Sequence, residues 1–456
     1  YTNRLYEDDD LKIALVLSDG TLQAIEKLVA WGKMDNPHVI NANDWTTALI
    51  PTYLKAKYQD HPLFKGVASI YSIHNLAYQG GQWNRFSGSR FNELGIGGEH
   101  WFGMAMPEDP NSFNLVRGAL YHADEIVTVS KQSADEIQTS EFGEGMHELI
   151  ASRKENLYGI LNGMDVPKEQ IMDREQKRAA KILLQREFGL NIDPEVPVIG
   201  MAVRIAYQKN VDGALRVMRR MLEENPRMQF VFKGEGHRDD SYTWEPIEIM
   251  KQLNRDFPGR VACEYEPGVR KKHSHLVIAA SDIYLMPSRR EPAGLSQQVA
   301  LLQGSVVVAH MTGGLIDTVR EFNPATGTGN GFTFRSLDDE EFYQAVKRAL
   351  MAYSDKTLWG QIMRNAQSED RSWAKATHKY AEVYIKAFLN KKKENIELGI
   401  TKSEGNFLEQ DLLKPFATQT DTEAKLLDAI LESLDSVGVN KIDSQIKNQK
   451  LIQEAI

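Results

Sequence analysis

Seven short apolar runs of strand character, separated by stretches of helical period, constrain this chain more than any other feature. They cover residues 38–42, 67–73, 125–129, 198–203, 229–233, 282–286 and 305–309. Helical patterns follow several of them, at 211–222, 295–302 and 340–353. Strands that alternate with helices predict parallel sheets covered by helices on both faces. Ligands of such sheets bind beyond the carboxyl ends of the strands, so the loops after these runs are where chemistry is expected. One further run, 13–17, suits a strand or a buried helix equally.

The runs fall into two groups on either side of a highly charged stretch, 168–191. The expected architecture is α/β, with two Rossmann-like domains facing each other across a cleft. The amino-terminal domain is placed at 1–167, a connection at 168–195 and the carboxyl-terminal domain at 196–390. From about Lys391 the character changes to a basic run and then a polar stretch. There, Leu427, Ile430, Leu431 and Leu434 keep helical spacing, with Thr420 and Glu423 suited to a capping box and Gly438 to a stop. Residues 391–456 are read as a packing helix or linker.

Composition narrows the function. Hydrophobic residues make up 42% and charged residues 26%, which is the balance of a globular protein. A net charge of −9 argues against nucleic acid or an anionic membrane as partner. No stretch approaches the roughly 20 apolar residues of a membrane helix. The single Cys263 rules out an internal disulfide and fits a reducing compartment such as the cytoplasm, or a plastid in a plant. We read it as a half-buried strand residue. The opening residues 1–10 are polar and acidic, unlike a signal or transit peptide.

Five loops at strand ends carry polar groups. Asp44, in the sequence Asn41, Ala42, Asn43, Asp44, Trp45, suits a helix cap or a cleft-facing acid, and taken alone the cap is the simpler reading. His74 lies in 72–80, where a structural histidine is the plainer alternative. Arg204 and Lys209 flank a strand-to-helix turn, a position that favours phosphate binding over a solvated basic loop. Glu291 sits in 287–295, with Gly294 and Leu295 opening a helix. Glycine there lets backbone approach a diphosphate, and Glu291 could then accept bonds from sugar hydroxyls. Thr312, Gly313 and Gly314 make a further glycine turn at the same sheet edge. The acidic runs 8–10 and 338–341 read as solvated surface. There is no CxxC, HExxH or Walker A loop and no GxSxG elbow, and no metal site is expected.

Taken in order, these motifs resemble the bacterial glycogen synthase and plant starch synthase family. HAHDW of that family is similar to 41–45, with both histidines replaced by Asn41 and Asn43. TIHNxAYQG resembles 72–80, VNGID resembles 161–165 and SRLxxQKG resembles 203–210. PSRFEPCGL resembles 287–295, STGGLxDTV resembles 311–319, and the late tryptophan segment resembles 372–384. The likeness covers about residues 1–388.

The resemblance implies a GT-B fold and a retaining glucosyltransferase without metal or other cofactor. Its partners would be a nucleotide sugar, ADP-glucose or UDP-glucose, and an α-1,4-glucan such as glycogen or starch. Carried over, Arg204 and Lys209 hold the donor diphosphate, and Glu291 binds and orients the glucose. His74 and Asn162 line the glucose site with Asp44 nearby. Gly294 and Leu295 offer backbone N–H groups to the distal phosphate, and Tyr265 stacks on the base.

The chain also departs from the family. Arg290 stands where the family has Phe and Ala293 where it has Cys, and no W-x-P follows Asp165. The K-x-G-G-L donor loop is absent from this chain. The expectation is therefore an incomplete amino-terminal domain, belonging to a longer protein or completed by a further polypeptide. Two rival readings stay open: a non-catalytic glucan-binding or scaffolding relative, and a GT-B transferase with another donor or acceptor.

Overall fold

The alternation of strands and helices resolves into two separate parallel sheets. The computed structural model describes residues 9–164, 172–236, 241–265 and 272–397. Asp165, the start of the charged connection and the tail elements at 420–438 lie outside the described residues. One compact unit runs to Ala387 and holds both sheets; the second begins at Phe388.

The run 13–17 belongs to a helix, Asp10–Ala30. Its buried positions Leu11, Ala14, Ser18 and Leu22 recur every three or four residues, while Val16 and Leu17 face solvent. That spacing is a helical stripe and excludes a strand.

The first lobe contains β1 (Val39–Asn43), β2 (Ala68–Ile73), β3 (Phe86–Ser87), β4 (Ala105–Met106), β5 (Asp109–Phe113), β6 (Glu125–Thr128) and β7 (Leu157–Gly159). Strands β1-β2-β6-β7 form one parallel sheet in that order. The long excursion from β2 to β6 carries the small antiparallel sheet β3-β5-β4. Every residue of β2 and β6 is buried, as expected of strands covered on both faces.

The second lobe contains β8 (Val198–Ala202), β9 (Gln229–Lys233), β10 (Val261–Glu264), β11 (Ile283–Met286), β12 (Val306–His310) and β13 (Gly331–Phe334). All six are parallel, in the order β10-β9-β8-β11-β12-β13. The order reverses between β8 and β11, so the loops after these two strands diverge and leave a crevice. Strands β7, β10 and β13 stand at the sheet edges, partly exposed, and escape a search for continuous apolar runs. Cys263 is buried in β10, and burial pushes its thiol well above the usual range.

Each lobe has its own apolar core. The charged connection contains the helix Arg174–Glu187, opened by a capping box of Asp173 and Gln176. Its Lys181 is buried and pairs with Asp282 at 2.6 Å. The acidic run at 338–341 has a local task as well, since Asp338 caps the helix Asp339–Ser354. The last helix, Trp373–Glu397, continues through position 391. Its residues Ala376, Val383 and Ala387 pack back on β2 and β6 of the first lobe. In the second unit, Lys391 pairs with Glu394 at 2.7 Å. No described helix is long and apolar enough to cross a membrane.

One half-buried base ties this fold to pH. His122 ends the helix Leu115–His122, and burial, reinforced by His100, Lys55 and Arg153, lowers it from 6.5 to about 4. Its Nε2 is buried without a partner. Between these values the unfolded chain binds the extra proton and the folded one does not. Stability from this group is therefore full above about pH 6.5 and is lost as pH falls to about 4, by about 3 kcal/mol. His122→Gln should flatten that part of the acid limb in urea unfolding at pH 7 and pH 4.5. An equal acid loss in both proteins would refute the assignment.

Candidate active site

The two loops at the reversal point of the second sheet meet directly. After β8 the chain passes through the turn Tyr207–Lys209 into the helix Val211–Glu224. After β11 it runs through Ser288 to Glu291 before the helix Ser296–Leu302. Arg289 N–H donates to Gln208 O at 2.8 Å, and Gln208 Nε2 donates to Arg290 O at 2.9 Å. These backbone ties bring Lys209 Nζ to 2.5 Å from Glu291 Oε2, and Ser288 Oγ donates to the same oxygen at 2.8 Å. The Lys209 and Glu291 side chains are only 15% and 8% exposed, so each charge depends on the other. An ammonium has three donors, which leaves two for another anion.

The first lobe supplies the opposite wall. Asp44 does not cap a helix, because a short turn, Trp45–Thr47, follows it without a side-chain cap bond. Instead Asp44 Oδ1 accepts from His74 N–H at 2.8 Å and from Asn75 N–H at 3.3 Å. It thus fixes the loop after β2 against the end of β1. Burial raises the Asp44 carboxyl, while His74 and the two amides oppose the rise. His74 Nε2 lies 2.9 Å from Asn43 Oδ1, within hydrogen-bond distance. Asn41 has a different part: it accepts from Ser72 and donates to Tyr384 OH at 2.9 Å, binding the sheet to the last helix.

Between the walls lies a cavity of about 400 Å3 lined by His74, Tyr78, Glu136, Glu144, Arg290 and Glu291, among others. It gathers His74 and Glu291 from opposite lobes. Arg204 stands exposed after β8, outside the lining of this cavity. Tyr265 follows β10, two strands away, with its ring against the core. Leu295 is half exposed.

Asn162 is tied to the helix that follows the Glu291 loop. Its carbonyl accepts from Gln298 Nε2 at 3.4 Å, and the same nitrogen lies 3.2 Å from Gly294 O. Asn162 Oδ1 and Gln298 Oε1 are both buried without a donor. Neither residue lines the cavity, and a buried acceptor without a donor is a group that a hydroxyl could satisfy.

The glycine turn is packed under the acidic loop. Gly314 N–H donates to Glu291 O at 2.9 Å, and Gly313 N–H donates to Glu136 Oε1 of the first lobe, also at 2.9 Å. Thr312 Oγ1 lies 3.4 Å from Glu136 Oε2. Ser130 Oγ donates to Pro292 O at 2.6 Å across the same junction. Glu136 was not evident from the sequence. Its only signal is position, in the helix Lys131–Glu136 directly after β6. Burial raises its carboxyl, opposed by the Gly313 amide. Glu136→Ala removes the carboxylate under the glycine turn and should lower kcat about tenfold, while Glu136→Gln keeps an acceptor and most of the rate. Equal rates for Glu136→Ala and the unaltered protein would show that the contact is only structural.

Arg290 also crosses between lobes, pairing with Glu144 and donating to Glu141 O, with its guanidinium 5.1 Å from the centre of the Phe142 ring. Among the described residues no group of three or more His, Cys, Asp or Glu side chains is placed to hold a metal ion.

Two lobes built on parallel sheets, with polar groups converging from both on one crevice, make the GT-B fold of nucleotide-sugar glycosyltransferases. The family described as starch synthase catalytic domain matches residues 1–152, and glycosyl transferases group 1 matches 185–365. A glycogen synthase of Kosmotoga olearia is 36% identical over 397 residues, covering 84% of this chain and 78% of the relative. One of Pseudothermotoga lettingae is 33% identical over 406 residues, covering 85% and 79%. The catalytic domain of starch synthase IV from Arabidopsis thaliana, solved with ADP and acarbose, superposes with a TM-score of 0.69 at 28% identity, over 80% of this chain and 76% of that one. The chain belongs to the glycogen and starch synthase family, glycosyltransferases that add glucose to glucan.

Proposed function

We propose that this chain is a retaining glucosyltransferase that moves glucose from ADP-glucose or UDP-glucose to the non-reducing end of an α-1,4-glucan, without metal or other cofactor. The observation that carries the reading is the Lys209–Glu291 pair at the reversal point, whose Glu291 lines the inter-lobe cavity together with His74. Departure of a nucleoside diphosphate builds negative charge on its phosphates. Lys209, with two donors beyond its bond to Glu291, and Arg204 after the same strand stabilise that charge as it develops. The leaving group is already a weak base, so no general acid is required.

Glu291, beside the Lys209 side chain, accepts bonds from glucose hydroxyls and orients the ring. His74 and the unmet Asn162 Oδ1 supply further sugar contacts. The acceptor attacks on the face that the diphosphate leaves, and a diphosphate oxygen takes its proton. In this reading Gly294 and Leu295 serve the distal phosphate and Tyr265 the base. The lone buried Cys263 fits a cytoplasmic setting.

The test is transfer of labelled glucose from each donor onto glycogen, with Glu291→Ala as control. The Arabidopsis relative was solved with ADP, so ADP-glucose is the first donor to try. Label that disappears in the variant supports the reading and names the donor. A folded protein that binds glycogen and incorporates no label from either donor overturns it in favour of a non-catalytic glucan binder.

A further inference from the structure

Arg290 joins the loop that carries Glu291 to the first lobe. Its guanidinium pairs with Glu144, donates to Glu141 O and lies 5.1 Å from the centre of the Phe142 ring. All three contacts fall on the stretch 141–144 of the first lobe. Phe142, Glu144, Arg290 and Glu291 line the inter-lobe cavity together, so this junction forms part of its wall. The phenylalanine that stands at this position in the family could make the ring contact and neither of the polar ones.

The stretch that Arg290 grips is held in one shape by its own lobe. Glu144 has a left-handed backbone, φ 48°, which is rare for a residue with a side chain and persists only where the surroundings enforce it. Gln79, fully buried in the loop after β2, donates from Nε2 to Glu144 O at 3.2 Å. Gly143 N–H donates to Thr139 O at 2.8 Å, and Gly143 O accepts from Met146 N–H at 2.6 Å. Met146 is buried in the first-lobe core. Glu144 thus turns its carbonyl to its own lobe and its carboxylate to the other. Across the junction, Arg290 O accepts from Gln208 Nε2 at 2.9 Å, next to the Lys209 that pairs with Glu291. One guanidinium therefore ties a fixed point in the first lobe to the two strand-end loops that place Glu291. Each lobe has its own core, and lobes with separate cores move against each other unless their junction holds them.

We propose that Arg290 is a positioning residue: its ion pair with Glu144 clamps the two lobes together and so fixes where the Glu291 carboxylate stands. The clamp rests on the geometry; its bearing on transfer rests on the glucosyltransferase reading. An ionic clamp has a property that an apolar contact lacks. The Arg290 and Glu144 side chains are 37% and 29% exposed, so dissolved ions reach them. The screening length falls from about 10 Å at 0.1 M salt to about 3 Å at 1 M. Lobe closure, and transfer with it, therefore loosens as salt rises.

The experiment reverses the charges singly and together and measures closure apart from activity. Small-angle X-ray scattering of the unaltered protein, Arg290→Glu, Glu144→Arg and the double reversal, without substrate, reports the radius of gyration. Each single reversal sets like charges face to face and should enlarge it, and the double reversal should bring it back. Transfer should follow: kcat/KM for the donor falls about tenfold in each single variant and recovers most of that loss in the double one. Arg290→Phe, which keeps only the ring contact, should lose less of its rate between 0.1 M and 1 M salt than the unaltered protein loses. A double reversal as slow as the slower single one overturns the inference, because Arg290 would then act on the substrate and not through Glu144. Equal radii in all four proteins also overturn it and leave the transfer reading standing. If the unaltered protein transfers no glucose, the transfer reading falls, and scattering alone still decides whether the pair clamps the lobes.

Discussion

Glu291→Ala and Lys209→Ala should each lower glucose transfer by roughly a thousandfold or more, through loss of charge stabilisation and of substrate orientation at the proposed reacting centre. The geometry adds a second expectation. The pair is buried and only 2.5 Å apart, so removing either member strands the other charge. Each single variant should therefore also lose about 3 kcal/mol of stability. Removing both leaves no stranded charge, so the double variant should be nearer the parent in stability than the sum of the singles. Its transfer rate should stay as low as that of either single. Urea unfolding and initial rates on the four proteins separate the two effects. Recovery of activity together with stability in the double variant would mean that the pair is structural and that the chemistry lies elsewhere. Glu291→Gln, which keeps the shape of the side chain, should be nearly as slow as Glu291→Ala if the carboxylate charge itself is needed.

Gly313→Ala should cost about 3 kcal/mol and reduce transfer along with it. Gly313 has φ 46° and ψ −134°, outside the comfortable range of a side-chain-bearing residue. A Cβ there would lie 2.2 Å from Glu291 O and 2.9 Å from Glu291 C. Both atoms are backbone, so relief requires moving the loop that carries Glu291 rather than turning a side chain. Gly20 is the contrasting control. It lies within the helix Asp10–Ala30, and a Cβ would meet nothing within 4 Å. Gly20→Ala should stabilise by about 0.5–1 kcal/mol, the difference in helix propensity. Chemical unfolding of the two alanine variants, with rates measured under native conditions, checks both signs. A Gly313→Ala protein as stable and as fast as the parent would show that the turn does not support Glu291 as described.

The strands most visible in the sequence were those buried on both faces. Runs such as 229–233 and 282–286 are apolar without alternation, because helices cover both sides of a parallel sheet. Strands β7, β10 and β13 gave little signal because they stand at the edges of their sheets and are only partly buried, so their runs are not continuously apolar. The run 13–17 could not be assigned locally; its inward face was settled by what Leu11, Ala14 and Leu22 pack against. Asp44 read as a cap for a similar reason. Its position before a helical turn is visible in the chain, while the His74 and Asn75 amides that claim its carboxylate come from another strand end.

Periodicity along the chain determined that this protein has parallel sheets with helices between the strands, and the ordered strand-end motifs pointed to its family. Both are legible because they depend on neighbours within a few residues. Only the tertiary structure decided that Lys209 neutralises Glu291, that Glu136 comes from the other lobe to hold the Gly313 turn, and that Asn162 meets Gln298. These contacts join residues 82, 177 and 136 positions apart. Strand order and lobe packing bring them together, and no local pattern records which distant residues will meet.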